Sequence, residues 1–181
     1  MPRTLVLDGP RQLRLSAQPS RPLHEGEVRL RSRLSGRAGL FISLAAVALQ
    51  AVHDAEIKLG DAVSVHGLGA IGLMTVQMCR LESIQAVIGI DPDPLRRGLA
   101  AGLGATQVLD PVDDEPLGLR VREVNDGRGV DAAIEVSGSD RGLQGALAAA
   151  GLGATVVAAG FTRVVRRMCD WARSSTTTGC R

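Results

Sequence analysis

Aromatic residues and cysteines are both scarce in this sequence. Its 181 residues include two Phe, one Trp and no Tyr, and the three cysteines (Cys79, Cys169 and Cys180) form no CxxC pair. The three histidines are not grouped with the cysteines. Because zinc sites usually draw three or four ligands from short, spaced clusters, the sequence predicts no zinc site.

Long apolar runs are also missing. The longest candidate, residues 40–52, is too short to cross a bilayer as a helix. The amino terminus, MPRTLVLDGPRQ, lacks the apolar stretch and the small-residue cleavage site of a secretory signal. These features predict a soluble cytoplasmic protein that makes no membrane contact.

The formal net charge of +2 conceals an uneven distribution of charge. Basic residues predominate in residues 1–40 and 161–181, whereas acidic residues outnumber basic ones between them. A basic segment can attract nucleic acid. However, no aromatic residues are interspersed with these arginines and no known nucleic-acid-binding motif is visible, so we expect no nucleic-acid partner.

From Lys58 onward, short apolar segments alternate between a pattern typical of buried strands and one typical of helices. This alternation predicts right-handed crossovers and a parallel sheet covered on both faces. The predicted fold class is therefore α/β, with a doubly wound parallel sheet. The predicted strands are Ala62–His66, Ala86–Ile90, Thr106–Leu109, Asp131–Val136 and Ala154–Ala159, and the predicted helices are Ala70–Leu81, Pro94–Ala101, Pro116–Val124 and Asp140–Ala150.

The first 36 residues follow a different pattern, with predicted strands at Thr4–Leu7, Gln12–Leu15 and Glu27–Ser35. Three short strands are too few to enclose a core by themselves. An apolar helix then begins near Leu40 with no intervening linker. We therefore divide the chain into an opening segment at residues 1–36, an α/β domain at residues 37–161 and a tail at residues 162–181.

A glycine-rich turn follows the first strand of the α/β domain. Gly67 suits a tight turn, Gly69 lets the backbone approach a pyrophosphate, and Gly72 lets the helix pack closely on the strand. The free N–H groups and positive dipole at the start of the helix also favour phosphate binding. The predicted phosphate-binding residues are Gly67, Leu68, Gly69, Ala70, Ile71 and Gly72.

Asp91 follows the second strand, about twenty residues beyond the glycine-rich turn. A carboxylate at this position accepts hydrogen bonds from the adenosine ribose and repels a 2′-phosphate, so the predicted cofactor is NAD rather than NADP. Arg96 and Arg97 could partly offset that repulsion. The alternative is a doubly wound fold whose glycine-rich turn binds no dinucleotide.

Glu135, Ser137 and Gly138 come at the end of the fourth strand, at the sheet edge where ligands bind in such folds. Ser137 and Gly138 are candidate contacts for the nicotinamide ribose. His66, which ends the first strand, has two interpretations: a structural side chain, or a contact to the ligand.

Four segments carry a resemblance to a known family: AEIKLGDAVSVHGLGAIGLMTVQMCRL, GIDPDPLRRGLAAGLGATQVLDP, GVDAAIEVSG and GATVVAAGF. From about Ala51 to Phe161 the chain resembles the cofactor domain of medium-chain, zinc-dependent alcohol and polyol dehydrogenases. The resemblance implies a Rossmann domain that binds a nicotinamide dinucleotide. Residues 1–36 are similar to the opening strands of that family's catalytic domain, which implies that they are a remnant of it.

The family's zinc-ligand motifs are not found in this sequence: the Cys or Asp, the His of a GHE-type motif, and the four-cysteine lobe. The resemblance therefore implies an NAD(P)-binding fragment with a truncated catalytic domain, whose oxidation of a secondary alcohol or polyol is impaired or lost. Two alternatives remain open. A partner chain could complete an active oxidoreductase, or the chain could be a non-catalytic module that responds to NAD.

The resemblance also bears on the edge of the sheet. In the family the sheet continues to a sixth strand, and here the tail stands in its place. Without that strand, Ala154–Ala159 would be an unpaired edge, and unpaired edges can join another chain. We therefore expect self-association through the exposed sheet edge.

The tail, FTRVVRRMCDWARSSTTTGCR, departs from the family pattern. One Lys beside twenty Arg indicates GC-rich codons. With such codons, one nucleotide inserted after the Phe161 codon makes the tail read FYAGGAADVRLGEEFHHNRVQ, which is similar to the segment that follows GF in some family members. This interpretation is a frameshift after Phe161, and its alternative is a basic arm with a pair of reactive cysteines.

We expect the coding DNA of residues 162–181 to yield this second reading when one nucleotide is inserted. A frameshifted segment has not been selected for packing in this fold, which would account for the departure of the tail from the family pattern. Sequencing the gene with its flanks is the measurement. Codons that cannot produce the second reading would end the frameshift interpretation.

Overall fold

The computed structural model describes residues 4–9, 12–16, 39, 41–82, 84–112 and 115–160. The chain forms two compact units that divide between Ile42 and Ser43. In the first unit, β1 (Thr4–Gly9) and β2 (Gln12–Ser16) form an antiparallel two-stranded sheet. The predicted strand Glu27–Ser35 and the tail at residues 162–181 lie outside the described residues.

The second unit is a five-stranded sheet in which every neighbouring pair of strands is parallel. Its elements are α1 (Ile42–Asp54, which begins one residue before the unit), β3 (Ala62–His66), α2 (Ala70–Leu81), β4 (Ala86–Ile90), α3 (Pro94–Gly102), β5 (Gln107–Leu109), α4 (Leu117–Val124), β6 (Val130–Glu135), α5 (Asp140–Ala149) and β7 (Ala150–Ala158). The strand order is β5-β4-β3-β6-β7. The predicted α/β class with a doubly wound parallel sheet is confirmed.

The sheet separates two apolar clusters. Val87 belongs to one cluster and its neighbour Ile88 to the other, because successive side chains of a strand point to opposite faces. Val76 and Cys79 of α2 pack in the first cluster, whereas Val121 of α4 packs in the second. Both faces are therefore covered, which explains why β3, β4 and most of β6 are buried continuously and not at alternate residues.

Cys79 is completely buried in the first cluster. Burial raises the pKa of its thiol to about 12, because the thiolate would lose its hydration. The side chain therefore stays protonated near neutral pH and packs as a small apolar group.

The last strand differs from its sequence-based prediction. β7 begins at Ala150, directly after α5, and not at Ala154. Ala150 has extended backbone angles and pairs with Val130 at the start of β6, and a register shift precedes the pairing of Thr155 with Ala132. From the sequence, Gly151 and Gly153 suggest a loop before the strand. In the structure they lie within the irregular first part of β7.

β7 is at one edge of the sheet, and β6 is its neighbour there. Among the described residues no further strand pairs with β7. Self-association through this edge stays a prediction. Within the same described residues, no helix is long and apolar enough to cross a membrane.

Two polar side chains are buried next to each other on β3. Ser64 and His66 are 0% and 1% exposed, and Ser64 Oγ lies 3.0 Å from His66 Nε2. Burial lowers the pKa of His66 from 6.5 to about 4, because the imidazolium would lose its hydration in the core. His66 is therefore neutral at pH 7.

We expect His66 to reduce the free energy of unfolding as the pH falls from 6.5 to about 4. In this window the unfolded chain protonates His66 and the folded chain does not, so the unfolded state binds more protons and stability rises with pH. The shift corresponds to about 3 kcal/mol. Urea unfolding of the wild type and of His66→Asn near the two ends of this window measures the effect.

The His66→Asn variant should lack this part of the acid destabilisation. His53→Asn is the matched control, because His53 is an exposed histidine in the last turn of α1. If the wild type and His66→Asn lost equal stability across the window, the buried neutral state of His66 would be contradicted.

Candidate functional site

The glycine-rich turn after β3 passes very close to the loop after β6. Gly67 has φ +94°, and a Cβ at this position would lie 2.6 Å from Ser137 Cα. The Gly67 amide donates to the Ile90 carbonyl at 2.8 Å, which fixes the turn on the end of β4. Only glycine satisfies both the positive φ and the close approach.

The amino end of α2 faces open space. A Cβ at Gly69 would meet no atom within 4 Å, whereas a Cβ at Gly72 would overlap the Gly67 carbonyl oxygen. No side chain caps this end of α2, and no acidic residue is in its first turn. The first amides of the helix therefore lack intrahelical partners and present a positive end to an anion.

Asp91 lies directly after β4 and is only 3% exposed. Its Oδ2 accepts a hydrogen bond from the Leu68 amide at 2.7 Å, and its Oδ1 accepts one from the Asp93 amide at 2.8 Å. Asp91 thus joins the glycine-rich turn to the start of α3. Two carboxylate oxygens offer about four acceptor positions, so Asp91 keeps capacity for a ligand hydroxyl.

Sequence reasoning missed the contact between Asp91 and Leu68. The spacing from the glycine-rich turn predicts an acidic residue beside a ribose, but it carries no information about a backbone partner. The motif suggests Leu68 as a phosphate contact, yet its side chain is completely buried in the first apolar cluster. Its contribution to the site is therefore through its backbone.

The two arginines of α3 differ in their surroundings. Arg97 donates to the Asp91 carbonyl at 2.6 Å and pairs with Asp110 at 2.9 Å. Arg96 is 52% exposed, and its guanidinium lies 3.6 Å from carboxylate oxygens of Asp91 and Asp93. Arg97 is thus held by the protein, whereas Arg96 remains the more accessible cation near Asp91.

A cavity of about 720 Å³ lies at the carboxyl edge of the sheet, a size typical of small-molecule sites. It is lined in part by His66, Gly67, Asp91, Arg96 and Ser137. Sheets of this kind bind ligands where the strand order reverses, which here is between β3 and β6. We call the space between the loops that follow these two strands the crevice.

The cavity brings together part of the predicted site. Gly67, Asp91, Arg96 and Ser137 are in its lining. The other predicted contacts lie outside its lining: Leu68, Gly69, Ala70, Ile71, Gly72 and Gly138. Ala70 is exposed, and Gly69 and Ile71 are half-buried at the same end of α2, so their place in the binding site stays a prediction.

The structure gives His66 a structural role, and its contact with a ligand stays a prediction. Its side chain is buried and pairs with Ser64, and it also forms part of the cavity lining. Because burial keeps its pKa near 4, the imidazole offers neutral polar atoms and no positive charge.

Glu135 is a buried carboxylate whose environment the sequence does not reveal. It is 0% exposed, and its Oε1 accepts hydrogen bonds from the Ser137 amide at 2.7 Å, the Ser137 hydroxyl at 2.5 Å and the Gly138 amide at 2.9 Å. Its position at the end of a strand was visible in the sequence. The three contacts depend on the turn that follows.

In the part of the chain that the structure describes, no group of three or more His, Cys, Asp or Glu side chains could hold a metal ion. These residues do not fit a catalytic zinc.

Comparison with known proteins identifies relatives of this chain. A D-guloside 3-dehydrogenase from Escherichia coli is 34% identical over 116 residues, covering 64% of this chain and 33% of that protein. An S-(hydroxymethyl)glutathione dehydrogenase from Synechocystis sp. is 39% identical over 111 residues, covering 59% of this chain and 30% of that protein. The chain thus spans about a third of the length of these relatives.

Solved structures show the same fold. An alcohol dehydrogenase from Thermus sp. ATN1 has a TM-score of 0.68 and 28% identity, covering 75% of this chain and 40% of that one. A zinc-binding dehydrogenase from Sinorhizobium meliloti, solved bound to NADP, has a TM-score of 0.63 and 33% identity, covering 71% of this chain and 38% of that one.

The model of the zinc-binding dehydrogenase family matches residues 70–173, which is more than half of the chain. This match continues past Phe161 into the tail, and the frameshift there stays a prediction. The resemblance to medium-chain, zinc-dependent dehydrogenases that the sequence predicts is confirmed. The chain belongs to the zinc-binding dehydrogenase family.

Proposed function

We propose that this chain binds a nicotinamide dinucleotide in the crevice and that it does not transfer hydride by itself. One observation carries the proposal. The uncapped amino end of α2 and the carboxylate of Asp91 are held together by the bond from the Leu68 amide, beside the 720 Å³ cavity. The proposed phosphate site and the proposed ribose site are therefore adjacent.

Each part of the dinucleotide has a candidate partner. The pyrophosphate would take free amides at the first residues of α2, because Gly69 faces open space and Ala70 is exposed. The adenosine ribose would donate to the carboxylate of Asp91. The nicotinamide ribose would lie toward Ser137 and Gly138, which form the other wall of the crevice.

We propose NAD as the preferred form. The carboxylate of Asp91 repels a 2′-phosphate, and the guanidinium of Arg96 is shared between Asp91 and Asp93. Arg97 is occupied by Asp110 and by a backbone carbonyl. NADP is the competing candidate, because one relative was solved bound to it.

Oxidation of an alcohol requires a group that polarises the substrate oxygen and a group that accepts its proton. In zinc-type dehydrogenases a bound zinc ion supplies the first as a Lewis acid. The family's zinc-ligand motifs do not occur in this sequence, and the described residues do not supply a substitute cluster. We therefore assign this chain a binding role without hydride transfer.

A second candidate is an active oxidoreductase that a partner chain completes. The observation in its favour is that Val47 and Leu49 of α1 are 40% and 44% exposed, two apolar side chains that a partner could cover. NADH formation with a panel of secondary alcohols separates the candidates. Turnover by the purified chain alone would contradict the binding role, and turnover only with a co-purified subunit would favour the second candidate.

We expect Asp91→Ala to weaken NAD binding by about 1.5–3 kcal/mol, because charged hydrogen bonds to the ribose are lost. Binding of NADP should weaken less, since the same change removes repulsion of the 2′-phosphate. Titration calorimetry of the folded chain with both dinucleotides is the measurement. Asp91→Asn, which retains an oxygen for the Leu68 amide, should give an intermediate affinity for NAD.

Asp61→Ala is the matched control. The carboxylate of Asp61 accepts a hydrogen bond from the Lys58 amide at 2.7 Å. Asp61 precedes β3 and so lies at the amino end of this strand, away from the proposed site at the carboxyl ends. Its removal should leave affinity for NAD unchanged. Unaltered NAD affinity in Asp91→Ala would contradict the ribose placement, and a folded wild type without affinity for either dinucleotide would contradict the proposed function.

A further inference from the structure

The carboxylate of Glu135 is completely buried at the carboxyl end of β6. A buried charge is costly unless hydrogen bonds satisfy it. Three donors from the next turn, the Ser137 amide, the Ser137 hydroxyl and the Gly138 amide, converge on one oxygen, Oε1. The carboxylate therefore fixes the conformation of the turn formed by Ser137 and Gly138, which we call the serine turn.

The backbone around Glu135 is itself fixed from both sides. Its carbonyl accepts hydrogen bonds from the amides of Ala159 and Gly160, both at 2.9 Å. The next residue, Val136, donates to the His66 carbonyl at 2.9 Å, which joins it to the end of β3. The side chain of Glu135 thus extends from a rigid base, and a rigid base can position what it binds.

The serine turn forms one wall of the crevice. Ser137 packs on the glycine-rich turn so closely that a Cβ at Gly67 would lie 2.6 Å from Ser137 Cβ. The Ser137 hydroxyl is also 2.9 Å from the hydroxyl of Ser139, which caps α5 through the Gly142 amide at 3.0 Å. A movement of the serine turn would therefore change both the crevice and the start of α5.

The second carboxylate oxygen of Glu135, Oε2, has no hydrogen-bond partner among the described residues. A Cβ at Gly160 would lie 2.5 Å from it, so the oxygen is tightly enclosed. Leaving a buried acceptor unpaired costs stability, and a well-packed apolar side chain would often be more stable than a buried charge. The carboxylate is therefore poorly explained by stability alone.

We propose that Glu135 is a positioning residue for the dinucleotide. Its carboxylate holds the serine turn against the glycine-rich turn and thereby sets the width of the crevice before the ligand arrives. This inference rests on the proposed function, because it assigns the serine turn to the binding site. Glu135 acts through Ser137 and Gly138 and does not itself contact the ligand.

Amide hydrogen exchange of the full chain tests the hydrogen bonds directly, with no ligand present. In the wild type, the Ser137 and Gly138 amides should exchange as slowly as strand amides although Ser137 is exposed. In Glu135→Ala both amides should exchange about 10- to 100-fold faster, because charged hydrogen bonds are lost. Amides of β3 and β4 report any general loss of stability.

Titration of the same proteins with NAD tests the consequence. Glu135→Ala should bind about 10- to 100-fold more weakly than the wild type. Glu135→Gln keeps a carbonyl oxygen for the serine turn and should recover much of the affinity. Asp131→Ala is the control, because Asp131 is a carboxylate of the same strand that accepts from the Ala62 amide at 2.8 Å, at the opposite end of β6.

The outcomes separate this inference from the proposed function. Exchange of the two wild-type amides at the rates of free loops would overturn the inference even if no variant folds. Fast exchange in Glu135→Ala with unchanged NAD affinity, or an equal loss in Asp131→Ala, would also overturn it and leave the proposed function standing. A wild type that binds no dinucleotide contradicts the proposed function, and with it the positioning role, whatever the exchange rates show.

Discussion

The architecture of the site depends on a steric constraint, the close approach of the turns that follow β3 and β6. The two strands are neighbours at the point where the strand order reverses, so their loops lead to opposite faces of the sheet and leave a crevice between them. The absence of a side chain at Gly67 lets Ser137 pack against the glycine-rich turn. Any larger residue at Gly67 would separate the turns and alter the space that a ligand enters.

Buried polar groups are concentrated at the same edge of the sheet. His66, Asp91 and Glu135 are 1%, 3% and 0% exposed, and each ends or directly follows a parallel strand. Asp91 and Glu135 each accept backbone amides from a turn, so the two carboxylates fix the two walls of the crevice. Buried charge of this kind is costly unless hydrogen bonds satisfy it, and its concentration at one edge of the sheet supports the site proposed there.

Membership of the zinc-binding dehydrogenase family explains the fold but does not transfer the activity. The chain spans about a third of the length of the curated relatives, and the matched part is their dinucleotide-type domain. The sequence contains the glycine-rich turn and Asp91, whereas the family's zinc-ligand motifs are not in it. In the proposed function, binding and chemistry are separable, because they depend on different sets of residues.

The sequence alone determined the order and type of the elements in the second unit, and the bounds of β3, α2 and β4 agree with the prediction. Local sequence patterns suffice to predict these elements, because the pattern of apolar residues in a buried strand differs from that in a helix within a few residues. The sequence did not predict the early start of β7, which depends on pairing with Val130, nor the bonds made by Asp91 and Glu135. Only the tertiary structure decided these contacts, because strand pairing and buried hydrogen bonds join residues whose proximity no local pattern encodes.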